Sequence, residues 1–147
     1  MVNDCLFIDN SGVTTAANKF AGGGAIATNS NLKVFDSIFK NNKALQVTVG
    51  STQRGGGGAI FLGGRGSADV LVLNSIFELN EASNIGGAAN LSTNNALSTI
   101  NWVYNKDLLF GNDAGEDCNG VKVVDPDDAP RDCFNVGDNF SEVFGTI

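Results

Sequence analysis

The chain contains no histidine at all. That removes Ser-His and Cys-His nucleophile arrangements and histidine-based zinc sites. Two prolines in 147 residues argue against a proline-rich linker. No run of about 18 apolar residues occurs, so no membrane-spanning helix is expected. The N-terminal Met1-Val2-Asn3-Asp4 lacks the basic and apolar regions of a signal peptide. Lys and Arg number only 9 against 16 Asp and Glu, and no basic stripe of the kind that holds nucleic acid is present. The imbalance is local. Residues 1–106 carry 7 basic and 6 acidic side chains, whereas 107–147 carry 2 and 10. A near-neutral body with an acidic tail disfavours anionic membranes as well.

What the chain has in quantity is glycine and asparagine, 19 of each. The pairing suits many tight turns between short strands, because Gly accepts positive φ and Asn tolerates it. With 42 % of residues apolar and 17 % charged, a folded chain is expected rather than disorder. The length is that of one domain.

The order of residues repeats. Gly23-Gly24-Ala25-Ile26 leads through Leu32 and Val34 to Ser37-Ile38-Phe39-Lys40-Asn41-Asn42. Gly57-Gly58-Ala59-Ile60 leads through Val70 and Val72 to Ser75-Ile76-Phe77-Glu78-Leu79-Asn80. The chain opens on half a copy, Val2 and Cys5-Leu6-Phe7-Ile8-Asp9-Asn10, so either it belongs to a longer array or something covers its first coil. A third copy begins at Gly86-Gly87-Ala88-Ala89, and Leu109-Phe110-Gly111-Asn112 is an approximate last word. The Phe intervals are 32 and 38 residues and the Gly-Gly intervals 34 and 29. Periods of this size belong to stacked repeats, in which one unit cannot bury its apolar face without a neighbour.

Segments such as Leu32-Lys33-Val34-Phe35 and Val70-Leu71-Val72-Leu73 read as strands, being rich in β-branched or aromatic residues and bounded by turn formers. No amphipathic helical pattern of ten residues appears before residue 106. The expected fold is therefore all-β: a right-handed parallel β-helix of three to four coils, with strands in two or three parallel sheets. Residues 1–112 form the array and 113–147 an acidic capping tail. An antiparallel sandwich is the competing architecture. In the column Phe7, Phe39 and Phe77 stack inside, Asn10, Asn42 and Asn80 form a side-chain ladder, and Gly24, Gly58 and Gly87 allow coils to approach closely at a corner. Segments 43–55, 62–68 and 90–96 are expected to project as loops.

The combination of Gly-Gly-Ala-Ile with Phe-x-x-Asn resembles the polymorphic outer membrane protein repeat of bacterial surface autotransporters and of large algal and protist surface proteins. Residues 1–90 carry the resemblance. It implies a right-handed β-helix of the pectin-lyase-like class, displayed outside the cell and used in adhesion. Galacturonases of that class carry a histidine motif, which this chain lacks. Lyases of that class use a basic residue beside Ca²⁺-holding carboxylates, and the nearest equivalents are Arg54, Arg65 and Asp69, with Asp36 and Asp4. Asn74 replaces the acid in the coil after Asp36, so no carboxylate cluster is expected and no catalytic residue is assigned.

Other residues carry weaker chemistry. The Gly-rich stretches 55–58 and 63–66 lack the Lys-Ser/Thr and helix start of a phosphate-binding loop. Asp113, Glu116, Asp117, Asp125, Asp127 and Asp128 offer hard oxygen ligands to Ca²⁺, the alternative being a solvated cap; no other cofactor is expected. Cys118 and Cys133 are spaced to close a disulfide loop worth about 3 kcal/mol, which favours an oxidising, extracellular setting. Cys5 takes the place of Ser37 and Ser75. Sequons stand at Asn90 and Asn139.

Finally, the sheets are apolar on both faces. Phe35, Ile38, Leu71, Leu73 and Ile76 form a stripe that something must cover. Phe140, Val143, Phe144 and Ile147, at helical spacing, are the internal candidate as a short C-terminal helix. A protein or glycan partner is the external one. The function expected is a non-catalytic surface or scaffold module. An accessory subunit docked through the apolar face and a carbohydrate-active lyase or hydrolase are the alternatives.

Overall fold

The computed structural model describes residues 1–14, 22–46, 56–64, 69–83, 86–93, 99–103, 109–114, 121–124, 132–134 and 140–143. Every element in them is a strand, and the strands fall into four stacked sheets visited in strict rotation. The first coil lays down β1 (Val2–Asn3), β2 (Leu6–Ile8), β3 (Ser11–Thr14) and β4 (Ile26–Thr28), one in each of sheets A to D. The second repeats the series as β5 (Leu32–Phe35), β6 (Ile38–Lys40), β7 (Lys43–Gln46) and β8 (Ile60–Gly64). The third gives β9 (Asp69–Leu73), β10 (Ile76–Glu78), β11 (Glu81–Ala82) and β12 (Ala89–Thr93). The fourth gives β13 (Thr99–Val103), β14 (Leu109–Phe110), β15 (Asp113–Ala114) and β16 (Val121–Val124). All pairings between coils are parallel, as in a β-helix-like solenoid.

Equivalent residues lie over one another as the repeat requires. Phe7, Phe39 and Phe77 are in register, their rings stacked at 4.7 Å between centroids and within 4° of parallel. That spacing is the interstrand distance itself. Strand alternation sorts the rest. Leu32, Val34, Val70 and Val72 point into the core, with Ile60, Leu62 and Leu91 on the opposite wall.

The Asn ladder has four rungs, since Asn112 joins the three expected. Asn42 Nδ2 donates to Asn80 Oδ1 (2.9 Å) and to the Phe7 carbonyl (3.0 Å). Its own Oδ1 accepts from the Asn10 backbone N–H and from Asn10 Nδ2. Asn80 repeats all four bonds between Asn42, Asn112 and the Phe39 carbonyl. A fully buried amide thus has both donors and both acceptor sites filled.

Two corners need left-handed backbone wherever they are described. Asp4, Asp36 and Asn74 adopt φ of 47–49° between sheets A and B. Asp9, Asn41, Leu79 and Gly111 do so between B and C, at 55–64°. Short polar residues and glycine enter this region at low cost; leucine does not. After the first corner, Ser37 Oγ and Ser75 Oγ accept the N–H of Cys5 and Ser37 respectively, one coil down. Cys5 therefore stands where serine does elsewhere, and its thiol is free and exposed.

The Gly-Gly corner before sheet D works by proximity. A Cβ on Gly58 would overlap the Gly87 carbonyl oxygen and crowd the Glu81 amide; one on Gly24 would do the same to Gly58 and Lys43.

Several expectations are corrected. There are four sheets, not two or three. Lys43–Gln46 is a strand of sheet C rather than part of a loop, and the expected loops at 62–68 and 90–96 begin inside β8 and β12. The boundary expected at 112 falls within the fourth coil, whose β15 and β16 lie beyond it. The C-terminal helix is replaced, over Phe140–Val143, by strand β18, antiparallel to β13. The free edge of β13 offers hydrogen-bond partners that no isolated single turn of helix can match. A second antiparallel strand, β17 (Asp132–Phe134), closes the edge of β16. The tail thus closes sheets A and D at this end, while β14 and β15 are the last strands of sheets B and C among the described residues. Phe144 and Ile147 lie outside the described residues.

Candidate binding face

Sheets A and B meet at the corner built by Asp4, Asp36 and Asn74, and the apolar stripe lies on either side of it. On sheet A, Phe35 and Leu73 are in register, as are Lys33 and Leu71. Their alternation with buried Val34, Val70 and Val72 directs Phe35, Leu71 and Leu73 outward, where they remain half-buried. On sheet B, Leu6, Ile38 and Ile76 form one row, because Phe7, Phe39 and Phe77 take the inward places. Leu6 and Ile38 are exposed and Ile76 is half-buried. The single stripe read from sequence is thus two rows on two sheets, parted by a polar corner of exposed Asp4, Asp36 and Asn74.

Further round, the outward residues become charged and cross-coil ion pairs form. Lys40 Nζ lies 2.9 Å from Glu78 Oε1 and Lys43 Nζ 2.6 Å from Glu81 Oε2. The hydrogen bond that Lys43 donates to Glu81, with the charge of that carboxylate, raises the Lys43 pKa above its ordinary value. The Lys43–Glu81 pair is exposed and the Lys40–Glu78 pair only part-buried, so their weight is small. The apolar rows therefore border a surface already saturated with its own charges.

Of the residues weighed for lyase chemistry, Asp4 and Asp36 share the corner between sheets A and B, and Asp69 stands apart from them. Asp69 opens β9, while Asp36 and Asn74 follow the far ends of β5 and β9. At about 3.3 Å per residue the two groups stand roughly 16 Å apart along the sheet. Arg54 and Arg65 lie outside the described residues.

Of the candidate Ca²⁺ ligands, Asp113 sits exposed in β15 beside Glu81. Glu116, Asp117, Asp125, Asp127 and Asp128 lie outside the described residues. So does Cys118, whereas Cys133 is placed in β17. The Asn90 sequon is buried in β12, at 1 % exposure, and its Oδ1 finds no partner among the described residues. The folded chain does not display that sequon; Asn139 lies outside the described residues.

Sequence reasoning missed sheet C and with it the charged row Ser11, Lys43, Glu81 and Asp113. The signal was present in the small inward residues Gly12, Ala44 and Ala82, two of them buried. No family model, curated protein or solved structure matches this chain.

Proposed function

We propose that this chain is a non-catalytic surface or scaffold module, a right-handed β-helix that binds a protein or glycan partner outside the cell. The observation that carries the reading is the pair of outward apolar rows, Phe35 with Leu73 and Leu6 with Ile38 and Ile76, running across two and three coils. Such rows, rimmed by polar groups, suit the apolar side chains of a partner or the C–H faces of a sugar ring. The resemblance of the repeat to that of polymorphic outer membrane proteins supports the adhesive role and the surface location. Against a lyase stands the separation of Asp69 from Asp36 along sheet A.

The test compares the wild-type chain with a Phe35→Ser, Leu73→Ser variant on a glycan array and on immobilised extracellular proteins. Binding by the wild type, lost in the variant while its circular dichroism is unchanged, is the expected result. Turnover of polygalacturonate, with or without Ca²⁺, would overturn the non-catalytic reading. Binding that survives the double substitution would remove the apolar rows from the function.

A further inference from the structure

The two ends of the column differ. At the C-terminal end, β18 lies antiparallel on β13 and β17 on β16. At the N-terminal end, β1 to β4 are the last strands of their sheets, and among the described residues nothing pairs with their outer edges. This coil also carries four of the six exposed large apolar side chains among the described residues, Met1 (90 %), Leu6 (62 %), Val13 (58 %) and Ile8 (42 %), the other two being Leu79 and Ile38. The Asn ladder is open on the same side. In Asn42 and Asn80, Oδ1 accepts two N–H groups from the preceding coil, and Asn10 Oδ1 occupies the equivalent position in the outermost of the described coils.

Residues 1–13 have the same architecture read from either direction. Extended residues 1–3, a two-residue corner, β2, a second two-residue corner and extended residues 11–13 follow one another, with Phe7 at the centre. Facing is symmetric too. Val2, Phe7 and Gly12 hold inward positions, in register with buried Val34, Phe39 and Ala44. The exposed Met1, Leu6, Ile8 and Val13 alternate with them.

We infer that two copies of the chain join end to end through this coil, about a two-fold axis through Phe7, with β2 antiparallel to β2 of the second copy. In that register Leu6 faces Ile8 of the partner subunit, Met1 faces Val13 of the partner subunit, and β1 runs beside β3 of the second copy. The Phe7 ring meets its own counterpart and continues the ring column. Asp4 faces Asn10 of the partner subunit and Asp9 faces Cys5 of the partner subunit, so no carboxylate opposes another.

A two-fold interface must be complementary to itself, and antiparallel pairing of an open strand edge is. The opposite end of this column already accepts antiparallel strands. Those same strands block a head-to-tail stack. The new contact continues the coil-on-coil interface by which β1 to β4 already hold β5 to β8. It shares Leu6 with the outward row of sheet B, so the Asn3→Cys and Ser11→Cys cross-links, which leave that row intact, keep the two interfaces distinguishable.

Sedimentation velocity of the full 147-residue chain tests this. A monomer–dimer equilibrium is expected, unchanged by reducing agent or by Cys5→Ser, because the thiols face carboxylates rather than each other. Leu6→Lys with Val13→Lys, which places charge on the open edge, raises the dimer dissociation constant about tenfold or more. Register is read by cross-linking in a Cys5→Ser background: chains with Asn3→Cys couple to chains with Ser11→Cys, and neither couples to itself. A wild type that stays monomeric at about 100 µM, a dimer that survives the lysine pair, or self-coupling of Asn3→Cys would overturn the inference.

Discussion

At the scale of single residues, the amides and left-handed corners decide most. Asn80 is buried with four side-chain hydrogen bonds, so Asn80→Ala strips the Asn42 N–H and the Phe39 carbonyl of their Asn80 partner, and leaves Asn42 Nδ2 with the Phe7 carbonyl and Asn112 Oδ1 with the Asn80 backbone N–H, one bond fewer each. At about 1–3 kcal/mol for each buried group stranded, the loss is at least about 3 kcal/mol, read as a lowered urea midpoint. Asn10→Ala removes the same residue type from the exposed end and costs about 1 kcal/mol or less. Equal effects at the two positions would show that the ladder does not act through burial. Leu79 supplies the opposite sign. It holds φ 55° where the equivalent positions are Asp9, Asn41 and Gly111, and its side chain is exposed. A left-handed conformation costs roughly 1–2 kcal/mol for an ordinary L-residue and less for asparagine. Leu79→Asn is therefore expected to stabilise the chain by up to about 1 kcal/mol in the same measurement.

At the scale of elements, the corner before sheet D shows how closely coils approach. Gly58 is enclosed by the Gly87 carbonyl and the Glu81 amide, both backbone, so neither can yield to a methyl group. Gly12, in an edge strand, meets nothing nearer than the Gly23 carbonyl oxygen at 3.2 Å. Gly58→Ala is expected to cost more than about 3 kcal/mol, at or above the upper range for overpacking, and Gly12→Ala within about 1 kcal/mol of zero; thermal midpoints separate them. The same contrast explains what was legible in the sequence. The Gly-Gly pairs and Phe-x-x-Asn words are constraints imposed by stacking, so they recur and can be read. From Val2 to Ser11, Val34 to Lys43 and Val72 to Glu81 the order of residues has constant length, while the first three coils vary only in the links into and out of sheet D; the fourth is two residues longer from Trp102 to Asp113. Sheet C was overlooked because each strand has at most two inward places, filled by Gly or Ala at one of them, which gives little periodic signal. The closing strands β17 and β18 belong to no repeat. Their identity depends on the free edges of β13 and β16, a tertiary condition that spacing within residues 140–147 does not express. The two-row form of the binding face was likewise hidden, since it follows from the corner at Asp36 and Asn74 rather than from the apolar residues.

At the scale of the whole molecule, each coil is paired only with the coil above and below it, in all four sheets. Stability in such a column is a sum of coil terms and nearest-neighbour terms, so opening proceeds from whichever end is held least. At the C-terminal end sheets A and D are closed by antiparallel strands. At the N-terminal end, among the described residues, β2 is paired on one side only and Phe7 is stacked on one face only. Phe39, by contrast, is flanked by Phe7 and Phe77, and Asn42 is bonded both above and below. Amide hydrogen exchange should therefore rank the coils. At a concentration well below the dimer dissociation constant, the amides of Leu6 to Val13 exchange through local fraying, with protection far below that of Phe39 to Ala44 and Phe77 to Ala82. Raising the concentration until end-to-end pairing dominates protects the first coil selectively and leaves the inner coils unchanged. Uniform protection along the column at low concentration would mean that the chain opens as one cooperative unit, and the additive picture of its coils would fail.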